Sequence, residues 1–178
     1  MPNWCENNLE VRAKTREKLE KFRREISTKW PREKKLALEM NGEIPKVIDE
    51  EKIEPIPESV DDLNSWRSAH WGSKWGCCQT RLTNESEKHM HYCFTSAWGP
   101  TLRLTRKMAD MYPGMEFIHR YYEPGMALAG VAHFHNGEEL EDKVMPEDYV
   151  TRLQNNTPET ESVDILDDEF MEVQTMIK

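Results

Sequence analysis

The stretch His89-Met90-His91-Tyr92-Cys93-Phe94-Thr95-Ser96-Ala97-Trp98-Gly99-Pro100 decides the fold of this 178-residue chain. Met90, Tyr92 and Phe94 alternate with His89, His91, Cys93 and Thr95. That period of two sends one set of a strand's side chains into a core and the other set to the opposite face. Pro100 suits the first turn of a following helix, where its missing N–H has no intrahelical partner to lose. Leu102, Met108, Ala109 and Met111 supply that helix's buried side, and Pro113-Gly114 stops it. Immediately upstream, Cys77 to Thr83 reads as a second strand, joined to the first by the polar loop 84–88. The stretch is therefore one arm of a hairpin that runs on into a helix.

The same periods extend outward in both directions. Downstream, Phe117, His119 and Tyr121 alternate with Ile118, Arg120 and Tyr122 as a strand, and after Glu123-Pro124-Gly125 another runs from Ala127 to His135, closed by Asn136-Gly137. Near the start, Leu9, Val11 and Ala13 alternate with Glu10 and Arg12. Leu19, Phe22 and Ile26 then recur at helical spacing, which predicts an amphipathic helix from about Thr15 to Thr28. Between residues 29 and 62 the pattern dissolves into an irregular insertion with four prolines, after which Asp61 or Asp62 caps a brief helical turn through Leu63 and Trp66. The order strand, helix, insertion, strand, strand, helix, strand, strand predicts an α+β chain. Its plan is a ferredoxin-like βαββαβ antiparallel sheet with an extra strand, helices on one face, in a single domain over residues 1–145.

Charge is distributed in blocks. The net of −9 arises from a basic first block, residues 1–36 (+5), a balanced block, residues 63–145, and two acidic ones, residues 37–62 and 146–178, at −7 each. The C-terminal block reads as an acidic, weakly ordered tail, and its Asp164, Asp167, Asp168, Glu169 and Glu172 are candidates for meeting a protein partner. Overall acidity argues against a nucleic acid partner, because phosphate binding draws its affinity from Lys and Arg. No apolar run approaches the length of a membrane span and the start lacks a signal-peptide pattern, so a cytoplasmic location with no membrane contact is expected. Cys5, Cys77, Cys78 and Cys93 have neither disulfide nor metal-ligand spacing and read as reduced thiols.

Trp66, Trp71 and Trp75 fall within ten residues. Such a cluster either wedges a loop against a sheet or, with Trp98, forms an aromatic wall for a ligand such as a nucleotide. Arg67 and Lys74 would supply the charge match, and Tyr122 with Glu123 lies at a strand end that can join the same site. Glu123 reads either as a general base or as a carboxylate accepting backbone N–H bonds in its turn, and the second is favoured. His89, His91 and Cys93 on one strand and His133 with His135 on another make an inter-strand zinc site conceivable, although isolated histidines on a half-exposed sheet are common. Cys5 reads as a small buried hydrophobe rather than a nucleophile. No phosphate loop, nucleophile elbow or zinc-protease string occurs, so no catalytic residue, metal or cofactor is expected. A small hydrolase or nuclease using Glu123 and the histidines is the remaining catalytic reading.

Five short strings stand in order along the chain: Met1-Pro2-Asn3-Trp4-Cys5 with Asn8, Pro55-Ile56-Pro57-Glu58, Trp71-Gly72-Ser73-Lys74-Trp75, Phe94-Thr95-Ser96-Ala97-Trp98-Gly99-Pro100, and Tyr122-Glu123-Pro124-Gly125 with Ala129-Gly130. Together they resemble the YubB-type family carried by phages and plasmids, over about residues 1–137. The resemblance implies a ferredoxin-like domain and a mobile-element origin, and it implies no activity. The strings consist mainly of Trp, Gly and Pro, which shape turns and fill cores. That composition favours binding over catalysis. The function expected is therefore that of a non-catalytic accessory protein which binds a host protein, in the service of countering a defence system.

Overall fold

The computed structural model describes residues 2–28 and 47–146. The central element is β1, Trp4–Arg12. It is flanked by β3, His89–Ala97, with Trp4 opposite Ala97 and Arg12 opposite His89, and by β4, Glu116–Glu123, with Glu6 opposite Tyr122. With β2 (Cys78–Glu85), β5 (Leu128–His135) and β6 (Glu138–Val144), the antiparallel sheet runs in the order β2-β3-β1-β4-β5-β6. The first four positions of that order are the ferredoxin-like arrangement.

Helix α1, Arg16–Ile26, buries Leu19, Phe22 and Ile26 from a 3- and 4-residue stripe against Leu9, Val11 and Tyr92 on the inner face of the sheet. Phe22 is fully buried and meets Tyr92, Tyr112 and Phe117 edge-on at 5.0–6.2 Å between ring centroids. Removing a side chain of this size from water stabilises the fold by roughly 2–3 kcal/mol. The helix after the hairpin, Leu102–Met111, adds Leu104 and Met108 to the same core.

Four features depart from the expectations. Strand β6 was not predicted, because an edge strand reading Glu138-Glu139-Leu140-Glu141-Asp142-Lys143-Val144 buries none of these residues and carries no inward apolar alternation. The insertion is not wholly irregular, since its described part contributes the short helix α2, Glu50–Ile53, with Ile48 and Ile53 in the core. Met111 is exposed and does not join the buried side of its helix. The turn predicted after Asp62 is a full helix, α3, Leu63–Trp71, which makes the helix after the hairpin α4. The Asp62 carboxylate accepts from Asn64 N and Ser65 N at 3.1 Å, and Gly72 closes the helix at φ +86°. Among the described residues no helix is long and apolar enough to cross a membrane.

Candidate functional site

Four of the five sequence strings meet at one end of the sheet. Trp98 N donates to Asn3 O at 2.9 Å, continuing the β1–β3 pairing past Ala97. Ser73 Oγ accepts from Ala97 N and donates to Ala97 O, so the loop after α3 is stitched to the same strand end. A side chain at Gly72 would press on Pro100 O, and one at Gly125 would collide with the Asn3 amide. The glycines of these strings are thus positions where two chain segments touch.

Three tryptophans project from this end. Trp4, Trp75 and Trp98 are 43, 42 and 47% exposed, far more than expected for the largest apolar side chain. Trp4 and Trp75 pack at 5.7 Å, and Lys74 Nζ lies 4.6 Å above the Trp75 ring. Trp98 has φ +72°, a left-handed backbone that costs a bulky residue on the order of 1 kcal/mol. Met126, in the 3-10 turn Pro124–Met126 that packs beside β1, is exposed as well.

The predicted tryptophan wall is divided by this geometry. Trp71 is buried in the core and its Nε1 donates to Glu54 O at 3.0 Å. Trp66 packs edge-on against Trp71 and stacks on His70 at 4.2 Å, while Arg67 covers Trp71 at 5.1 Å. Trp75 and Trp98 belong to the sheet-end rim instead, where their companion is Trp4, a residue the sequence reading left out. Its exposed position follows from alternation, for Trp4 is out of phase with Cys5, Leu9 and Val11.

Glu123 is buried at the end of β4, where its two oxygens accept from Gly125 N at 2.9 Å and Met126 N at 2.7 Å. It caps the 3-10 turn, the structural role favoured from sequence. Tyr122 is buried on the sheet face turned from the helices, opposite Glu6.

A chain of buried hydrogen bonds lies under the helices. Asn7 Nδ2 donates to Cys5 O at 2.9 Å and to Ser96 Oγ at 2.8 Å, so Asn7 Oδ1 must accept from His119 Nε2 at 2.9 Å. That fixes the His119 tautomer, and Nδ1 accepts from Thr105 Oγ1 at 2.6 Å. Ser96 in turn donates to Gly99 O at 2.6 Å. Burial, helped by the Arg120 charge, depresses the His119 pKa to about 3, so the ring is neutral. Burial also pushes the Cys5 thiol up to about 12, which removes it as a nucleophile near neutral pH. The signal in the sequence was Asn7 and His119 occupying inward positions in otherwise apolar alternations.

The histidines of the outer face do not converge. β3 and β5 are separated by β1 and β4, so His91 and His133 stand three strand spacings apart, about 14 Å. Among the described residues no three His, Cys, Asp or Glu side chains are placed to hold a metal ion together. Tyr92, Phe94, Phe117 and Tyr121 are all buried on the helix side, so they offer no base-stacking platform. Asp164, Asp167, Asp168, Glu169 and Glu172 lie outside the described residues.

Residues 78–164 match the family model described as the ferredoxin-like domain in Api92-like protein. Over those residues, just under half of the chain, it is similar to an Api92-like ferredoxin-like domain. The match begins at the first residue of β2, so β1, which completes the middle of the sheet, lies upstream of it. The crystal structure of protein api92 from Yersinia pseudotuberculosis has a similar fold, with a TM-score of 0.62 at 10% identity, covering 82% of this chain and 99% of that one. No curated protein matches the sequence.

Proposed function

We propose that this chain is a non-catalytic accessory protein that acts by binding another protein, through the rim of Trp4, Trp75 and Trp98. The rim carries the reading. Three tryptophans held about half exposed at one end of a sheet, one of them in a strained backbone, make no sense as core and fit the aromatic anchors that dominate protein interfaces. The groups suited to chemistry support it from the other side: Glu123 is used as a cap, and His119 and Cys5 are buried in neutral form.

The partner proposed is a host protein, and the purpose the countering of a defence system. Both rest on the phage- or plasmid-borne setting of the YubB-type proteins that the strings resemble. The acidic tail, residues 146–178, would add charge complementarity to a basic partner surface.

The test is an affinity capture from host lysate, treated with nuclease, using the native chain, a Trp4→Ser/Trp98→Gly variant and a chain ending at Met145. A protein retained by the native chain and lost by the tryptophan variant, and then bound by it in purified form, supports the proposal. Equal retention by the tryptophan variant would remove the rim, and retention that depends only on the tail would move the site there.

A further inference from the structure

A second surface lies on the helix side, away from the tryptophan rim. An open groove of about 690 Å³ runs between α3 and α4, floored by Ala69, Leu102 and the edge of Phe134. Its charges are sorted along α4. Arg103 and Arg106 stand at one end, and Asp110, with Glu139 of β6, at the other. Lys107 between them is neutralised by Glu54 at 2.9 Å. Arg103 donates to the Ala69 carbonyl at 2.5 Å, and neither it nor Arg106 forms an ion pair with a carboxylate among the described residues. Two guanidiniums one helical turn apart, with no carboxylate partner among the described residues, make a local basic site in a chain of net charge −9.

We infer that this groove takes a short extended peptide of a partner protein, acidic at the Arg103 end, apolar in the middle and basic at the Asp110 end. Charge complementarity selects the occupant. The guanidiniums require carboxylates, the floor requires small or branched apolar side chains, and the acidic far end sets the direction. The spacing agrees, since the seven steps from Arg103 to Asp110 rise about 10 Å along the helix, which is about three steps of an extended chain. A groove open to solvent along its length suits a strand of peptide better than a small molecule, whose sites enclose most of the ligand.

Fluorescence anisotropy with two labelled pentapeptides tests this. One is Asp-Asp-Leu-Ala-Lys and the control is Ser-Ser-Leu-Ala-Lys. The native chain is expected to bind the acidic probe about fivefold more tightly than the control, the effect of two partly exposed charge pairs. Arg103→Glu with Arg106→Glu should reverse the preference. Because both arginines stand at the surface, that variant keeps its fold. The Trp4→Ser/Trp98→Gly variant should bind the acidic probe like the native chain, which separates this groove from the rim. Equal binding of both probes by the native chain, a preference that survives charge reversal, or loss of binding in the rim variant would each overturn the assignment.

Discussion

Two groups of tryptophans on this chain, a few residues apart in sequence, are treated in opposite ways. Trp71 is buried, its ring packed by Trp66 and its one donor satisfied by Glu54 O. Trp75, four residues on, shares the sheet end with Trp4 and Trp98 and leaves nearly half its surface in water. Gly72 makes the break between them, because its left-handed backbone turns the chain out of α3 and back across Pro100. The same residue type thus serves the core on one side of a single glycine and solvent on the other. The difference teaches that tryptophan density in this sequence mixes two roles, and that mutations should separate them.

The largest separation is expected in stability. Trp71→Ala leaves a cavity in the core and an unpaired carbonyl at Glu54, and should cost about 3–5 kcal/mol in urea unfolding. Trp75→Ala removes a half-exposed ring and should stay within about 1 kcal/mol. Similar losses for the two would break the division, because the rim would then be core.

A second contrast lies between the buried polar chain and the rim, and pH exposes it. His119 is neutral when folded, with a pKa of about 3, against about 6.5 when unfolded. Between these values the unfolded chain binds more protons than the folded one. Stability is therefore full above about pH 6.5 and falls as the pH drops toward 3, by roughly 1 kcal/mol per pH unit through the middle of that window. Unfolding midpoints at pH 7, 6 and 5, compared with those of His119→Gln, measure it. The variant should be less stable at pH 7 and show a flatter decline, and parallel slopes would remove His119 as the cause.

The sequence made most of this fold legible where side chains alternate against a core. β1, β3, β4 and β5 each have an inward apolar set, and Phe22 with Leu19 and Ile26 marks α1 plainly. β6 was illegible for a physical reason: an edge strand held by backbone bonds to β5 needs no buried side chain to exist. The site was half legible. Trp75, Trp98 and Lys74 were found from composition, but their grouping depends on the pairing of β1 with β3, a contact across some ninety residues. That pairing brings in Trp4 and leaves Trp66 and Trp71 elsewhere, and no local pattern reports it.

Glu123 sharpens the comparison at smaller scale, since it stands at the same sheet end as the rim while being fully committed to structure. Glu123→Gln keeps one acceptor oxygen and loses the charge, so one of the two N–H bonds to Gly125 and Met126 weakens. A cost of about 1 kcal/mol in thermal or urea unfolding is expected, with partner capture unchanged. Loss of capture at unchanged stability would instead make Glu123 part of the binding surface.

The smallest expected effect on stability belongs to the residue expected to matter most for binding. Trp98 occupies a left-handed backbone at φ +72° with its side chain 47% exposed. Glycine relieves that strain, gaining on the order of 1 kcal/mol, while the extra freedom of the unfolded chain takes back a similar amount. Trp98→Gly should therefore shift the unfolding midpoint very little in either direction and still abolish capture of the partner. On the proposed reading, Trp98 strains its own backbone and leaves half its ring in water for the partner it meets. If Trp98→Gly destabilises by several kcal/mol, its ring is packed more firmly than its exposure implies, and the rim loses its status as a binding surface.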